Sequence, residues 1–213
     1  MPWQQPSVLL IVFKNMVRRA WQTKWTKNNW PTSRFANRVY LFLRNKKVKT
    51  ILDLGCGGGR DSIFFAKKGF KVVAVDIFSD NFQRDKLKSV NVKFIHKSIK
   101  DVKFKLNSFD VVYAHLSLHY FEDKTTDKIF NNLYNILKPG GYIFAKCKST
   151  TDPYFGKGKK IEENYYEFGH KRHFFTKKYM EEKLKKFKVI KIIKTSCTLP
   201  DKASFIEAFA IKN

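Results

Sequence analysis

The chain has 213 residues, of which 43% are hydrophobic, and this is enough apolar material for one domain with a full core. Its three cysteines are an odd number without CxxC spacing, which argues against a disulfide framework or a structural zinc site and favours a reducing, cytoplasmic compartment. No apolar run approaches the roughly 20 residues that span a bilayer, so no membrane partner is expected. The net charge of +25 would attract RNA, although a lysine-rich composition set by the source genome would explain it equally.

The first 48 residues are basic and aromatic, and we predict that they form a cover segment ahead of a domain over residues 49–213. Aromatic side chains among Lys and Arg can stack bases and pair with phosphates. An amphipathic helix with Val17, Trp21 and Trp25 on one face would instead cover a ligand cleft or pair with another subunit, and we favour the cover. The four tryptophans of this stretch are Trp3, Trp21, Trp25 and Trp30.

From residue 49 onward, strand-like and helix-like patterns alternate. Short β-branched and apolar runs that end in turn residues predict strands, and apolar residues spaced three and four apart predict helices. Such alternation implies βαβ units with right-handed crossovers and a parallel sheet. The predicted strands are 50–54, 71–76, 92–96, 109–114 and 142–147. The predicted helices are 33–45, 60–68, 80–88 and 123–137.

The last part of the chain departs from this alternation. A predicted helix over 177–187 precedes strands over 189–194 and 205–211, which could pair antiparallel. Residues 149–174 show no clear period, and a connection of about 25 residues is too long to be passive in a compact domain. A lid or binding loop is therefore predicted there.

A glycine-rich turn, GCGGGR from Gly55 to Arg60, directly follows the first predicted strand. In a parallel sheet, ligands bind beyond the carboxyl ends of the strands, where glycines let backbone N–H groups approach them. A dinucleotide fingerprint needs a third glycine where Arg60 stands, and the carboxylate of Asp53 would repel a pyrophosphate. That carboxylate suits a ligand with an ammonium and a sulfonium group. Asp76, about 20 residues after the glycines, can accept both hydroxyls of a ribose, with a helix N-cap as its alternative role.

Four motifs follow one another along the chain: LDLGCGGGR, VVAVDIF, FDVVYAHLSLHYF and LKPGGYIFAKC. With them, the chain resembles class I S-adenosylmethionine-dependent methyltransferases, and among these the small type 11/25 or tellurite-resistance-like members. The resemblance implies a Rossmann-like, three-layer α/β/α sandwich around a mostly parallel seven-stranded sheet, with an antiparallel last strand and the order 3-2-1-4-5-7-6. It also implies S-adenosylmethionine as the cofactor and S-adenosylhomocysteine as the product.

The resemblance further implies which residues hold the methionine part of the cofactor. Gly55 and Gly57 would pass close to it, and Asp53 would orient the loop and bind the amino group. His115 would offer its backbone carbonyl to the ammonium group. The full implied cofactor-binding set is Asp53, Gly55, Cys56, Gly57, Asp76, Ile77, Ser98, Ile99 and His115.

At the adenosine part, Asp76 would take the ribose hydroxyls, with Ile77 and Ile99 on either face of the adenine. The family usually has an Asp after the third strand, which accepts from the adenine amino group, and this sequence has Ser98 there. A hydroxyl lacks the charge assistance of a carboxylate, so ordinary rather than tight cofactor affinity is expected.

The residues after the fourth strand restrict the acceptor chemistry. Neither the Asp/Asn-Pro-Pro-Tyr/Phe stretch that holds the amino group of a base nor the Pro-Cys of cytosine-C5 chemistry is found there. His119 and His173 are candidates for a general base. The alternatives are that His119 packs under the following helix and that His173 lies in a surface loop. Lys146 is interpreted as a solvated lysine at the sheet end, and no metal site is predicted.

The sequence therefore predicts methyl transfer from S-adenosylmethionine to an undetermined acceptor. A small molecule is favoured because no second, substrate-reading domain is recognised. An RNA methyltransferase and a non-catalytic cofactor-binding module remain alternatives, and the oligomeric state is open.

Overall fold

The computed structural model describes residues 31–77, 90–198 and 202–213. The four tryptophans, the amphipathic helix around Val17 and the helix predicted over 80–88 lie outside these ranges.

Seven strands form the main sheet. They are β1 (Thr50–Leu54), β2 (Lys71–Asp76), β3 (Val92–His96), β4 (Phe109–His115), β5 (Leu137–Lys148), β9 (Lys188–Cys197) and β10 (Ala203–Ile211). Along the sheet their order is β3-β2-β1-β4-β5-β10-β9. Counted within this sheet alone, this is the predicted order 3-2-1-4-5-7-6. Strands β1 to β5 are parallel, and β10 is antiparallel to both of its neighbours.

Four helices are described, and they cover both faces of the sheet. They are α1 (Arg34–Leu43), α2 (Arg60–Lys67), α3 (Asp123–Ile136) and α4 (Lys177–Lys183). Because alternate strand residues point to opposite faces, the core forms two clusters. One contains apolar residues of α1 and α2, and the other those of α3 and α4. The predicted three-layer α/β/α sandwich is confirmed.

The two largest errors in the predicted boundaries concern α4 and β5. Helix α4 ends at Lys183 rather than 187, where the Leu184 N–H bonds to both Met180 and Glu181 carbonyls, tightening the last turn. Strand β5 begins at Leu137, before the Pro139-Gly140-Gly141 turn signal. The backbone of Lys212, just after β10, exchanges hydrogen bonds of 2.8 Å with Gly140 and Gly141, which keeps this stretch extended.

Residues 149–174, expected to be a lid or loop, contain an ordered sheet of their own. It consists of β6 (Lys159–Glu162), β7 (Tyr165–Phe168) and β8 (His170–His173), paired antiparallel. Strands of four residues are too short to show a period in the sequence. The sheet docks on the domain through the Tyr165 hydroxyl, 3.2 Å from the Tyr120 carbonyl, and through Glu162, which accepts from the Asp123 N–H at 2.7 Å.

Within the described part of the chain, no helix is long and apolar enough to cross a bilayer. The same residues contain no group of three or more His, Cys, Asp or Glu arranged to hold a metal ion.

Candidate active site

The glycine-rich turn lies between β1 and α2, at the carboxyl end of the sheet. Gly55 has a φ of +72°, and a Cβ at this position would lie 2.3 Å from the Cβ of Ser117. Ser117 cannot move away easily, because its hydroxyl donates to the Leu54 carbonyl at 2.5 Å. Gly57 also has a positive φ, of +54°, but among the described residues nothing lies within 4 Å of the position of its missing Cβ. The turn is therefore closely packed on one side and open on the other.

Asp76, the last residue of β2, is adjacent to this open side. Its carboxylate accepts a hydrogen bond from the Gly57 N–H at 2.8 Å. Gly55 and Cys56 both donate their N–H groups to the Val75 carbonyl, at 2.8 and 3.1 Å. The end of β2 therefore holds the turn, and the structure brings Asp76 and the glycines together as the sequence predicts.

Asp53 lies beneath the turn and is only 2% exposed. Its carboxylate accepts a hydrogen bond from the Ser62 hydroxyl of α2, which ties the strand before the turn to the helix after it. Burial raises the pKa of Asp53 to about 8; the Ser62 hydrogen bond opposes this shift, and the carboxylates of Asp61 and Asp76 add to it. Two further acidic groups thus surround Asp53, and a bound cation would relieve their repulsion.

Cys56 lies in the turn, and its surroundings disfavour the thiolate form. Burial raises the pKa of the Cys56 thiol well above its usual value, and the charges of Asp53 and Asp76 raise it further. Because the thiolate is the reactive form, this position can contribute its backbone but not cysteine chemistry.

The residues expected at the adenine occupy different environments. Ile77 lies just beyond β2, and its apolar side chain is 50% exposed, so a ligand can pack against it. Ile99 is buried, in the short 3-10 turn Ile99–Asp101, and lies against the turn at Gly55. Ser98 precedes this turn without capping it, so its hydroxyl makes no capping hydrogen bond there.

His115, at the end of β4, carries a side-chain interaction that the sequence analysis missed. Its Nδ1 lies 3.4 Å from the carboxylate of Asp61, in the first turn of α2. Asp61 also accepts from the N–H and hydroxyl of Ser33 at 2.9 and 2.7 Å and from the Tyr113 hydroxyl at 2.8 Å. Burial alone would raise the pKa of Asp61, but these donors and the His115 and Arg60 charges hold it below its usual range. The sequence shows Asp61 at the start of a predicted helix, but its partners could not be predicted because they come from distant segments of the chain.

Lys146, interpreted from the sequence as a solvated lysine, is not solvated. Its side chain is 12% exposed and forms an ion pair of 3.1 Å with Glu207 of β10, whose side chain is fully buried. Arg38 of α1 donates to both oxygens of the same carboxylate, at 2.5 and 2.6 Å. The interpretation was wrong because the partner of Lys146 belongs to β10, about 60 residues further along the chain, and the sequence around Lys146 does not show that contact.

The two candidate histidines have separate environments. His119 is 1% exposed, in the 3-10 turn Leu118–Tyr120 beyond β4, and its ring contacts Tyr120. Burial lowers its pKa well below the usual value, and the charges of Arg172 and Lys148 lower it further.

His173 is 2% exposed, so the alternative of a surface loop is wrong for it. Its ring packs on Tyr179 at 4.4 Å between centroids, and it also contacts Tyr165 and Phe175. Burial lowers its pKa to about 4. These contacts join β8 to α4, and they favour a structural role for His173 over the predicted catalytic one.

Comparison with known proteins agrees with this geometry. Residues 51–141 match the type 25 methyltransferase domain family. An uncharacterized methyltransferase of Synechocystis sp. is 32% identical over 95 residues, which cover 45% of this chain and 44% of that protein. Phosphoethanolamine N-methyltransferase 1 of Triticum aestivum is 29% identical over 114 residues, which cover 51% of this chain and 23% of that protein. The matches thus span less than half the length of these curated relatives.

A solved structure shows the same fold. It is 1,6-didemethyltoxoflavin-N1-methyltransferase from Burkholderia thailandensis, with 1,6-didemethyltoxoflavin and S-adenosylhomocysteine bound. The TM-score is 0.73 at 16% identity, and the match covers 100% of this chain and 94% of that one.

The residues at the strand ends fit S-adenosylmethionine. The open side of Gly57 admits a ligand to the backbone, and Asp76 presents a carboxylate beside it. Among the described residues, no lysine or arginine forms an ion pair with Asp53, so the positive charge of the cofactor would compensate its buried carboxylate. Residues 51–141 match a methyltransferase domain family, and the sheet built around them has the fold of S-adenosylmethionine-dependent methyltransferases of known structure.

Proposed function

We propose that this chain transfers a methyl group from S-adenosylmethionine to a small-molecule acceptor. The observation that carries the proposal is the contact between the ends of β1 and β2, where the Asp76 carboxylate holds the Gly57 N–H at 2.8 Å beside an open face of the turn. Backbone donors and a carboxylate at such a strand end suit the polar groups of a nucleoside ligand.

The bound cofactor supplies an electrophilic methyl group on a sulfonium centre. The protein then has to align an acceptor and exclude water, so few catalytic side chains are needed. We propose that the cofactor contacts come from the predicted set. In it, Asp53 faces the positively charged end, Asp76 the ribose, and Ile77 and Ile99 the adenine. His115 contributes its backbone, since its side chain is held by Asp61.

We further propose that residues 1–48 cover the domain over residues 49–213. The described part of this segment contains α1, which lies on one face of the sheet with Phe35, Val39 and Leu43 fully buried. The Asp61 hydrogen bonds to Ser33 attach the start of α1 beside the glycine-rich turn.

The test of the cofactor site is the substitution Asp76→Ala, with Asp101→Ala as the matched control. Asp101 is an exposed acid in the 3-10 turn after β3 and has no ion pair among the described residues. Titration calorimetry with S-adenosylhomocysteine should show at least about a tenfold loss of affinity for Asp76→Ala and none for the control. An unchanged affinity for Asp76→Ala, with both variants folded by circular dichroism, would overturn the site.

A second candidate, an RNA methyltransferase, is favoured by the net charge of +25. The small acceptor is favoured by two similar proteins, a phosphoethanolamine N-methyltransferase and a 1,6-didemethyltoxoflavin-N1-methyltransferase, whose acceptors are small molecules. Methyl-labelled cofactor, purified protein and a cell extract with and without ribonuclease separate the two. Label in small, ribonuclease-insensitive material supports the proposal, label in ribonuclease-sensitive material supports RNA, and cofactor binding without any labelled product supports a non-catalytic module.

A further inference from the structure

Arg172 of β8 is a partly buried cation without an acidic partner. Among the described residues, no carboxylate oxygen lies within 4.0 Å of its guanidinium. Its neighbours are the Nδ1 of His170 at 3.4 Å, the ring of Tyr154 at 5.4 Å and the hydroxyl of Tyr120. A half-buried arginine normally pairs with an anion, because its desolvation is otherwise uncompensated.

Two lysines near the end of β5 each contact a buried carboxylate. Lys148 pairs with the buried Asp152 at 2.7 Å, and Lys146 lies 3.1 Å from Glu207, whose carboxylate it shares with Arg38. Arg172 differs from these lysines because, among the described residues, it has no carboxylate within ion-pair distance.

His119, beside Arg172, has an unused hydrogen-bonding atom. Its side chain is 1% exposed, and its Nδ1 has no hydrogen-bond partner among the described residues. The charged groups that act most strongly on it are Arg172 and Lys148, and after them the two histidines His170 and His115. A buried polar atom without a partner costs free energy unless a ligand or water satisfies it.

Arg172 and His119 lie next to the proposed cofactor site. Burial raises the pKa of the Tyr120 phenol, and the next contributions come from Arg172, which opposes the shift, and from Asp76, which adds to it. Tyr120 thus interacts with Arg172 and with the carboxylate assigned to the ribose, and Ser117, three residues before it, packs against Gly55 of the glycine-rich turn. A molecule bound at Arg172 and His119 would lie beside the cofactor.

We propose that the methyl acceptor carries an acidic group, a carboxylate or a phosphate, which pairs with Arg172 and accepts a hydrogen bond from the Nδ1–H of His119. This inference rests on the proposed function, whose acceptor class it specifies. A planar oxyanion suits the guanidinium, which can donate two parallel hydrogen bonds.

The experiment uses Arg172→Gln and, as the matched control, Lys171→Gln. Lys171 is the exposed neighbour of Arg172 in β8 and points to the other face of the small sheet, so its substitution removes the same charge from the same strand. Each full-length protein is titrated with S-adenosylhomocysteine. Inorganic phosphate and acetate are then titrated, at constant ionic strength, with and without S-adenosylhomocysteine.

We expect at least one of the two anions to bind the wild-type protein, to bind Arg172→Gln at least about tenfold more weakly, and to bind Lys171→Gln unchanged. Phosphate binding without acetate binding identifies a phosphate acceptor, and the reverse identifies a carboxylate. Equal anion affinity of wild type and Arg172→Gln, or no anion binding to wild type, overturns the inference. Binding of a short RNA that depends on Arg172 and is not competed by phosphate also overturns it.

The cofactor titration separates this inference from the proposed function. Failure of S-adenosylhomocysteine to bind the wild type rejects the proposed function, whereas the anion titration without cofactor still tests Arg172. Arg172→Gln should retain the wild-type affinity for S-adenosylhomocysteine, because Arg172 is not among the residues assigned to the cofactor.

Discussion

The two sides of the cleft differ in charge. The side formed by β1, β2 and α2 brings together Asp53, Asp61 and Asp76, three of the 18 acidic residues in a chain of net charge +25. The side formed by β5 and β8 presents Lys146, Lys148 and Arg172. The net charge alone suggests one basic surface, but the structure concentrates acid where a cationic cofactor is proposed and a cation where the acceptor is proposed.

The two sides also stabilise their charges differently. On the acidic side, hydrogen bonds from hydroxyl and backbone donors stabilise the carboxylates. Ser62 donates to Asp53, and Ser33 donates to Asp61. On the basic side, Asp152 pairs with Lys148 and Glu207 is shared by Lys146 and Arg38, whereas Arg172 has no carboxylate partner among the described residues. A buried charge without a counter-ion is costly, so each side should gain from a ligand of the opposite sign.

The largest expected effect tests the basic side. Glu207→Gln keeps the size of the side chain but leaves the Lys146 ammonium and the Arg38 guanidinium without their counter-ion. Breaking a buried ion pair on one partner typically costs about 3–5 kcal/mol, and the 38% exposure of Arg38 favours the lower end. Urea unfolding should therefore show a loss of about 3 kcal/mol.

Glu163→Gln is the control for this substitution. Glu163 forms an ion pair with Lys160 across exposed side chains, so its removal should change the free energy of unfolding by about 0–1 kcal/mol. Equal effects of Glu207→Gln and Glu163→Gln would show that the Glu207 cluster is not a buried counter-ion.

The next effect tests the turn on the acidic side. Gly55→Ala places a Cβ 2.3 Å from Ser117 at a φ of +72°, and overpacking together with backbone strain should cost about 2–4 kcal/mol. Thermal unfolding should detect this loss, and S-adenosylhomocysteine affinity should fall with it.

Gly57→Ala is the comparison, because its Cβ meets open space at a φ of +54°. Backbone strain should lower the free energy of unfolding by only about 1 kcal/mol. Cofactor affinity should fall, because the added methyl group occupies the side of the turn proposed for the ligand. If Gly55→Ala proves as stable as Gly57→Ala, the close packing against Ser117 is wrong.

The smallest effect is a proton linkage at Asp53. With a pKa near 8, Asp53 is protonated in the free protein at about pH 6, and a cationic ligand would lower that pKa and release the proton. Affinity for S-adenosylmethionine should then rise by up to about tenfold per pH unit between about pH 6 and 7.5, a range in which the cofactor amino group stays charged.

Calorimetry in two buffers of different ionisation enthalpy would count the released proton directly. Asp53→Asn, which cannot titrate, should bind more weakly and lose this pH dependence. A wild-type affinity that is flat over this range would mean that Asp53 does not face the cofactor charge.

Much of the cofactor side could be predicted from the sequence. Asp53, Gly55 and Gly57 lie within five consecutive residues, and Asp76 follows on the adjacent parallel strand, so a local motif and one βα unit specify their meeting. The alternation of strands and helices indicated a parallel sheet, and the order of its strands was implied by the resemblance that the four motifs carry. The glycine-rich turn, its acidic neighbours and the parallel sheet could be predicted because they depend on short contiguous segments and on the right-handed connections between them.

The acceptor side could not be predicted in the same way. Lys146 pairs with Glu207 of β10, whose carboxylate also binds Arg38 of α1. Arg172 acts on His119 only because the small sheet docks on the Leu118–Tyr120 turn. The strands of that sheet are too short to be recognised by periodicity.

The sequence by itself determined the class of the domain, its cofactor turn and the acidic character of that turn, because these depend on neighbouring residues. Only the tertiary structure decided which charges are neutralised and which remain. Whether the charge of a lysine or an arginine is available to a ligand depends on whether a carboxylate from a distant segment pairs with it. No local sequence pattern predicts such a contact.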